Sequence, residues 1–220
     1  IEWPNVIWSD KPEVPGIGNQ NLQITSTANG LAECTANFAI KARTDWKVYD
    51  HYLVKEYEDF LIRINNAPKV RFAYKEGTVS PIFVNALVHM FPYHPQDHLL
   101  IGRTQDLIEY WDVSHLDCSC KVSTTQYGDH HQQADVDVHW SKDLRNPIWF
   151  GINYAAKFSK TAKRHLDDWE MYCLDGAPKF DEAMEEWVRI REVLWQPLRK
   201  PDIWWEKMPD HKYPRFWSED

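Results

Sequence analysis

Metal chemistry in this chain would have to begin from its ten histidines and four cysteines. His94 and His98 stand four apart with His89 and Asp97 close by, a spacing that on a helix would turn them toward one ion. Pro92 and Pro95 interrupt any such helix, and no glutamate lies between the two histidines to serve as a general base. Cys118 and Cys120 supply two thiols, and adding His115 still matches no zinc pattern. His130 and His131 fall in a polar turn. We therefore expect no metal. The sequence has no Walker loop, nucleophile elbow or dinucleotide fingerprint, and only eight glycines from which to build phosphate-cradling loops. No cofactor is expected either.

Composition narrows the classes further. At 220 residues, 43% of them hydrophobic, the chain can bury a real core as one domain with extensions. A formal net charge of −8 opposes nucleic acid and broad contact with anionic lipid, both of which need concentrated Lys and Arg. No apolar run approaches the ~20 residues that cross a bilayer. Cys34, Cys118, Cys120 and Cys173 are too irregularly spaced for a disulfide scaffold, which points to a reducing compartment; a secreted protein with two bridges is the alternative. A chain opening at Ile1 without Met fits removal of a targeting segment, although a trimmed chain would look the same.

The elements follow from periodicity. Residues 1–23 hold Pro4, Pro12 and Pro15 with Trp3 and Trp8 and read as an extended arm. Leu31, Cys34, Phe38 and Ala42 predict a short helix within 26–43, weakened by Gly30. Asp45 as N-cap and apolar residues every three or four positions predict a helix over 45–64, ended by Asn65 to Pro68. A short strand is expected at 70–74. Ser80-Pro81 reads as a helix start, with the helix running to Met90. Residues 103–112 read as a short helix burying Leu107, Ile108 and Trp111, and 116–125 as a strand. Ala134, Val136, Val138 and Trp140 alternate with Asp135, Asp137 and His139, and Ile148, Phe150, Ile152, Tyr154, Ala156 and Phe158 repeat that period. With 166–174 they predict an antiparallel meander across 132–175. Residues 177–194 form a helix with Phe180, Met184, Trp187, Val188 and Leu194 along one stripe.

Helices first, then a helix opening Gly102-Arg103-Thr104-Gln105-Asp106-Leu107-Ile108-Glu109-Tyr110-Trp111, then a meander, is an order that resembles the nuclear transport factor 2-like superfamily over about residues 46–174. The resemblance implies an α+β fold, with helices on a strongly curved, cone-like antiparallel sheet and an apolar pocket at its mouth. The expected division is an N-terminal arm and short helix at 1–44, the α+β domain at 45–176, and a C-terminal helix with a Trp/Pro-rich arm at 177–220. Enzymes of that superfamily place an Asp or His acid–base pair inside the cone. Here the resemblance offers Asp59, His115 with Asp117, and His139 as candidates, and Tyr154 as a pocket hydroxyl. None maps onto a catalytic position of one member family, and strand alternation turns Asp135, Asp137 and His139 away from the apolar face.

Twelve tryptophans, several at the chain ends, are the stronger clue to a job. Trp3 and Trp8 at one end, and Trp204, Trp205, Phe216 and Trp217 at the other, have the composition of interface anchors, because large aromatics bury much area at little entropic loss. The sequence thus leads to an expectation of a non-catalytic accessory subunit that binds other protein subunits. Its place would be an organellar complex, mitochondrial, or else the cytoplasm. The alternative is a cofactor-independent isomerase, dehydratase or cyclase using an Asp–His pair in an apolar pocket.

Overall fold

A computed structural model of the chain describes residues 7–14, 20–43, 46–48, 50–85, 87, 89, 91–115, 146–173, 177–198 and 205–207, with backbone alone at 46–48, 50–56, 146, 170 and 205–207. In chain order its elements begin with α1 (Gln20–Ala32), β1 (Phe38–Ala42), β2 (Trp46–Val48), α2 (Asp50–Asn66), β3 (Val70–Arg71), β4 (Thr78–Val79) and β5 (Ile82–Val84). There follow β6 (Leu99–Arg103), α3 (Thr104–Trp111), α4 (Asn146–Ala156), α5 (Lys160–Asp167) and α6 (Trp169–Tyr172). The last are α7 (Phe180–Leu194), β7 (Trp195–Pro197) and β8 (Trp205–Lys207). The fold is mixed α+β.

The main sheet orders its strands β1-β6-β5-β7. β6 is antiparallel to β1 and β5, and β7 joins β5 in parallel. Alternation along the strands sorts the core by face. Ile82, Val84 and Leu100 pack with Ile24 and Leu31 of α1, Leu107 of α3, Phe150 of α4 and Trp187 of α7. Phe83, Leu99 and Ile101 pack instead with Phe60 and Ile64 of α2, and the Phe60 and Phe83 rings meet edge to face at 5.0 Å. With helices on both faces, the sheet strands are apolar on both faces too, and β5 is buried at every position. Two further antiparallel pairs, β3 with β4 and β2 with β8, stand apart from this sheet.

Several expected elements take another form. The strand expected at 148–158 is helix α4. Ile148, Trp149, Phe150, Ile152, Tyr154 and Ala155 are all buried, so the helix has no polar face to reveal its period, and alternate apolar residues imitate a strand. Pro147 in its first turn, after Asn146, is the helix-start signal that was present. The strand expected at 166–174 is likewise helical, as the end of α5 and α6, and Ser159 caps α5 by accepting from the Ala162 N–H at 3.2 Å. Conversely, the helix expected after Ser80-Pro81 is strand β5. Ile-Phe-Val fits a site buried on both faces, and the Ser80 N–H is taken by the Asp106 carboxylate at 3.0 Å.

Other shifts are smaller. The helix expected within 26–43 ends at Ala32, and Phe38 and Ala42 belong to β1. The helix expected from Asp45 starts at Asp50, after β2. On α7 the buried stripe uses Ala183 and Ile190, while Val188 is exposed. The strands expected at 116–125 and 134–140 lie outside the described residues.

Candidate functional site

Asp97 is the most deeply buried carboxylate of the described residues, at 2% exposure, and it sits just before β6. The β1–β6 pairing continues past the strand ends with the Arg43 N–H donating to the His98 carbonyl at 3.0 Å, which brings β1 alongside Asp97. From β1 the Lys41 ammonium donates to the Asp97 main-chain carbonyl at 2.5 Å and lies 3.5 Å from Oδ2. From α1 the Gln23 amide donates to the same Oδ2 at 2.5 Å. Burial pushes the Asp97 pKa up, but Lys41, the Gln23 hydrogen bond and the charges of Arg43 and His98 outweigh it. The carboxyl is held below its ordinary value. Asp97 is therefore a buried anion.

What surrounds this anion is incompletely satisfied. Tyr110 of α3 is fully buried, and burial together with the Asp97 charge pushes its hydroxyl pKa well up. The Lys41 ammonium stands 5.1 Å from the Trp111 ring centroid. The Tyr110 hydroxyl, the Trp111 indole N–H and both amide atoms of Gln20 are buried without a hydrogen-bond partner. Gln20 lies three residues before Gln23, one turn away on the same side of α1. Each orphaned polar group costs about 1–3 kcal/mol, and of those in this fold the Tyr110 hydroxyl feels the Asp97 charge while the Trp111 ring faces Lys41.

The scaffold holds Asp97 from behind. Tyr93 has a φ of 53°, in the left-handed region that few side-chain-bearing residues adopt, and is wholly buried. Its hydroxyl hydrogen-bonds the His165 Nδ1 of α5 at 2.7 Å. Gly151 of α4 is pressed against this turn: a Cβ there would come within 2.1 Å of the Tyr93 carbonyl oxygen. Only glycine allows so close an approach. Residues 93–97 are thus fixed by α4 and α5 before they reach the site.

The residues singled out from the sequence scatter. Asp59 lies on α2, 3.8 Å from the Arg63 guanidinium. His115 is exposed and within 3.0 Å of the Thr25 hydroxyl. His139 and Asp117 lie outside the described residues, so among those described no Asp–His pair of that set is brought together. Tyr154 is not on a strand facing a pocket; it is buried in α4, its hydroxyl unpartnered and its pKa raised by burial and by the Asp106 charge. Trp8 is 82% exposed. Trp205 falls in β8, while Trp3, Trp204, Phe216 and Trp217 lie outside the described residues. Of the histidine cluster, His94 is buried, His89 is exposed, and no group of three metal-ligating side chains occurs among the described residues. Asp97 had drawn notice only as a neighbour of those histidines. Lys41 and Gln23, which are 56 and 74 positions away, carried no signal at all.

Residues 7–162 match the model of the WavE lipopolysaccharide synthesis family. The match takes in well over half of the chain and every residue of the Asp97 centre, and the chain belongs to that family. No curated protein and no solved structure matches it.

Proposed function

We propose that this protein handles a sugar unit in bacterial lipopolysaccharide synthesis, and that the sugar's hydroxyl groups are held at the Asp97 centre. The family supports the process, and the buried anion supports the place. A sugar presents a row of hydroxyls, each able to donate and accept. Asp97 accepts, the Trp111 N–H donates, and the Gln20 amide and Tyr110 hydroxyl do both. General bases work best with a pKa near the operating pH, and Asp97 is shifted away from neutrality. Its role in this reading is to anchor hydroxyls rather than to take up protons.

The test is complementation of a strain lacking the gene, read as the electrophoretic mobility of its lipopolysaccharide. Asp97→Asn keeps the shape and removes the charge, and the expected outcome is a truncated product. Tyr110→Phe is the cleaner variant, since it deletes only a hydroxyl that has no partner in the protein. A purely structural centre would tolerate it. Full-length product from both variants would overturn the reading.

A second reading keeps the accessory subunit expected from the sequence, with a cone-like curvature of the sheet and terminal arms that engage protein partners, and with it the organellar setting. Trp8, which is exposed, is the observation that favours it. Trp8→Ala would then release the partner on size-exclusion chromatography of native extract; an unchanged monomeric elution of the parent protein would end it. The Asp–His isomerase alternative draws no support from Asp59 or His115 where they stand.

A further inference from the structure

At the β7 edge of the main sheet a cleft of about 640 Å³ opens between α2 and α7. The volume suits a small molecule or a short oligomer. The walls are set by contacts that use up some polar groups and leave others. Asn85 is spent: its amide donates to the Gln96 side chain, and its carbonyl accepts from the Leu99 N–H at 3.3 Å. Gln196 accepts from the Arg63 Nη2 at 3.3 Å, which leaves its NH2 group as the end to offer. Arg63 also donates to the Pro197 carbonyl at 3.0 Å.

His89 is oriented from α7. The Arg191 Nη1 lies 2.6 Å from the His89 Nδ1. A guanidinium can only donate, so Nδ1 accepts and the imidazole proton sits on Nε2. The cleft then offers N–H donors from His89 and Gln196 and a carboxylate acceptor from Glu192, against the apolar walls of Leu87 and Leu198. Its charges balance. Arg63 faces Asp59 at 3.8 Å, and Arg191 lies 4.0 Å from Glu192. Among the described residues an anionic ligand would meet the Glu192 carboxylate with no surplus cation in return, and a cationic one would meet the Arg63 guanidinium.

We infer that this cleft is a second carbohydrate site, which holds a neutral glycan segment through His89, Gln196 and Glu192. It shares no lining residue with the Asp97 centre, and Glu192 and Gln196 lie beyond the residues that match the family. Neutral polyols suit it because hydroxyls can pair with donors and acceptors alike without needing net charge.

The experiment is isothermal titration of the full chain with core oligosaccharide, released from lipopolysaccharide by mild acid and dephosphorylated. Inorganic phosphate is titrated in parallel. Saturable binding of the oligosaccharide and none of phosphate is expected. Gln196→Leu and His89→Ala should each weaken it about tenfold, the usual consequence of losing one or two hydrogen bonds, while Tyr110→Phe leaves this site unchanged. Should Gln196→Leu unfold, His89→Ala decides alone, since that side chain is exposed. Absence of oligosaccharide binding, binding that both cleft variants retain, or binding that Tyr110→Phe removes and they do not would each overturn the inference. Phosphate bound in the oligosaccharide's place would do the same. Loss of lipopolysaccharide synthesis with this binding intact would bear on the Asp97 reading instead.

Discussion

Asp97 and Glu186 are both carboxylates with almost no exposure, and both stay below the ordinary carboxylate pKa although burial pushes each of them up. Glu186, on α7, is gripped by a two-pronged Arg189 fork at 2.7 and 2.6 Å and by the Ser159 hydroxyl that caps α5. That arginine is 65% exposed, so the pair passes its charge to water. Asp97 instead meets an ammonium only 9% exposed, with the Tyr110 phenol and the Trp111 indole, both without a hydrogen-bond partner, close to the pair. Burial and pKa direction are alike in the two. What separates them is the counter-charge, which reaches water at Glu186 and is buried at Asp97.

The comparison can be broken by mutation. Asp97→Asn removes the charge that faces the buried Lys41 ammonium and should cost about 3–5 kcal/mol in urea unfolding. Gly151→Ala comes next: forcing a Cβ onto the Tyr93 carbonyl should cost about 1–3 kcal/mol or more and disturb the approach to Asp97. Glu186→Gln should cost only about 1 kcal/mol, because its partner is mostly in water, and should leave lipopolysaccharide synthesis intact. A loss with Glu186→Gln as large as with Asp97→Asn would erase the distinction between the two carboxylates. Tyr110→Phe should change stability least of all while still impairing function.

Acid sharpens the same contrast. His165 has its pKa lowered by burial and by the Arg164 charge, so the unfolded chain binds its proton first. Stability due to His165 is full above its ordinary value of 6.5 and declines as pH falls toward the lowered folded value. The two carboxylates act in the same direction but lower, their contributions lost as pH falls below ordinary values of 3.8 and 4.5 toward their depressed folded ones. Thermal melting against pH should thus fall in two stages, and His165→Gln should remove the first alone.

How much was legible in advance depended on contrast within each segment. α2, α3 and α7 each carry one apolar and one polar face, so their spacing announced them, α3 to within a residue at each end. α4 has no such contrast, being buried almost all round, and was misread as a strand for that reason. β5 failed in the opposite sense, since a local start signal at Ser80-Pro81 yielded to the demand of a site buried on both faces. The Asp97 centre was half visible. The aspartate stood in a noticed cluster, but the lysine and glutamines that give it meaning come from α1 and β1, and only the fold makes them neighbours. Histidines and tryptophans draw attention by type, whereas the residues gathered at Asp97 include an amide and a carboxylate, which are common on any surface.

The pairing of β2 with β8 has a consequence in time. Trp46 meets Lys207 and Val48 meets Trp205, so this ladder joins stretches separated by most of the chain. During synthesis β2 emerges early and its partner late, and contacts of such long range close last. Until synthesis has passed Lys207, β2 waits as an open strand edge, and the stitch that covers it cannot be drawn earlier.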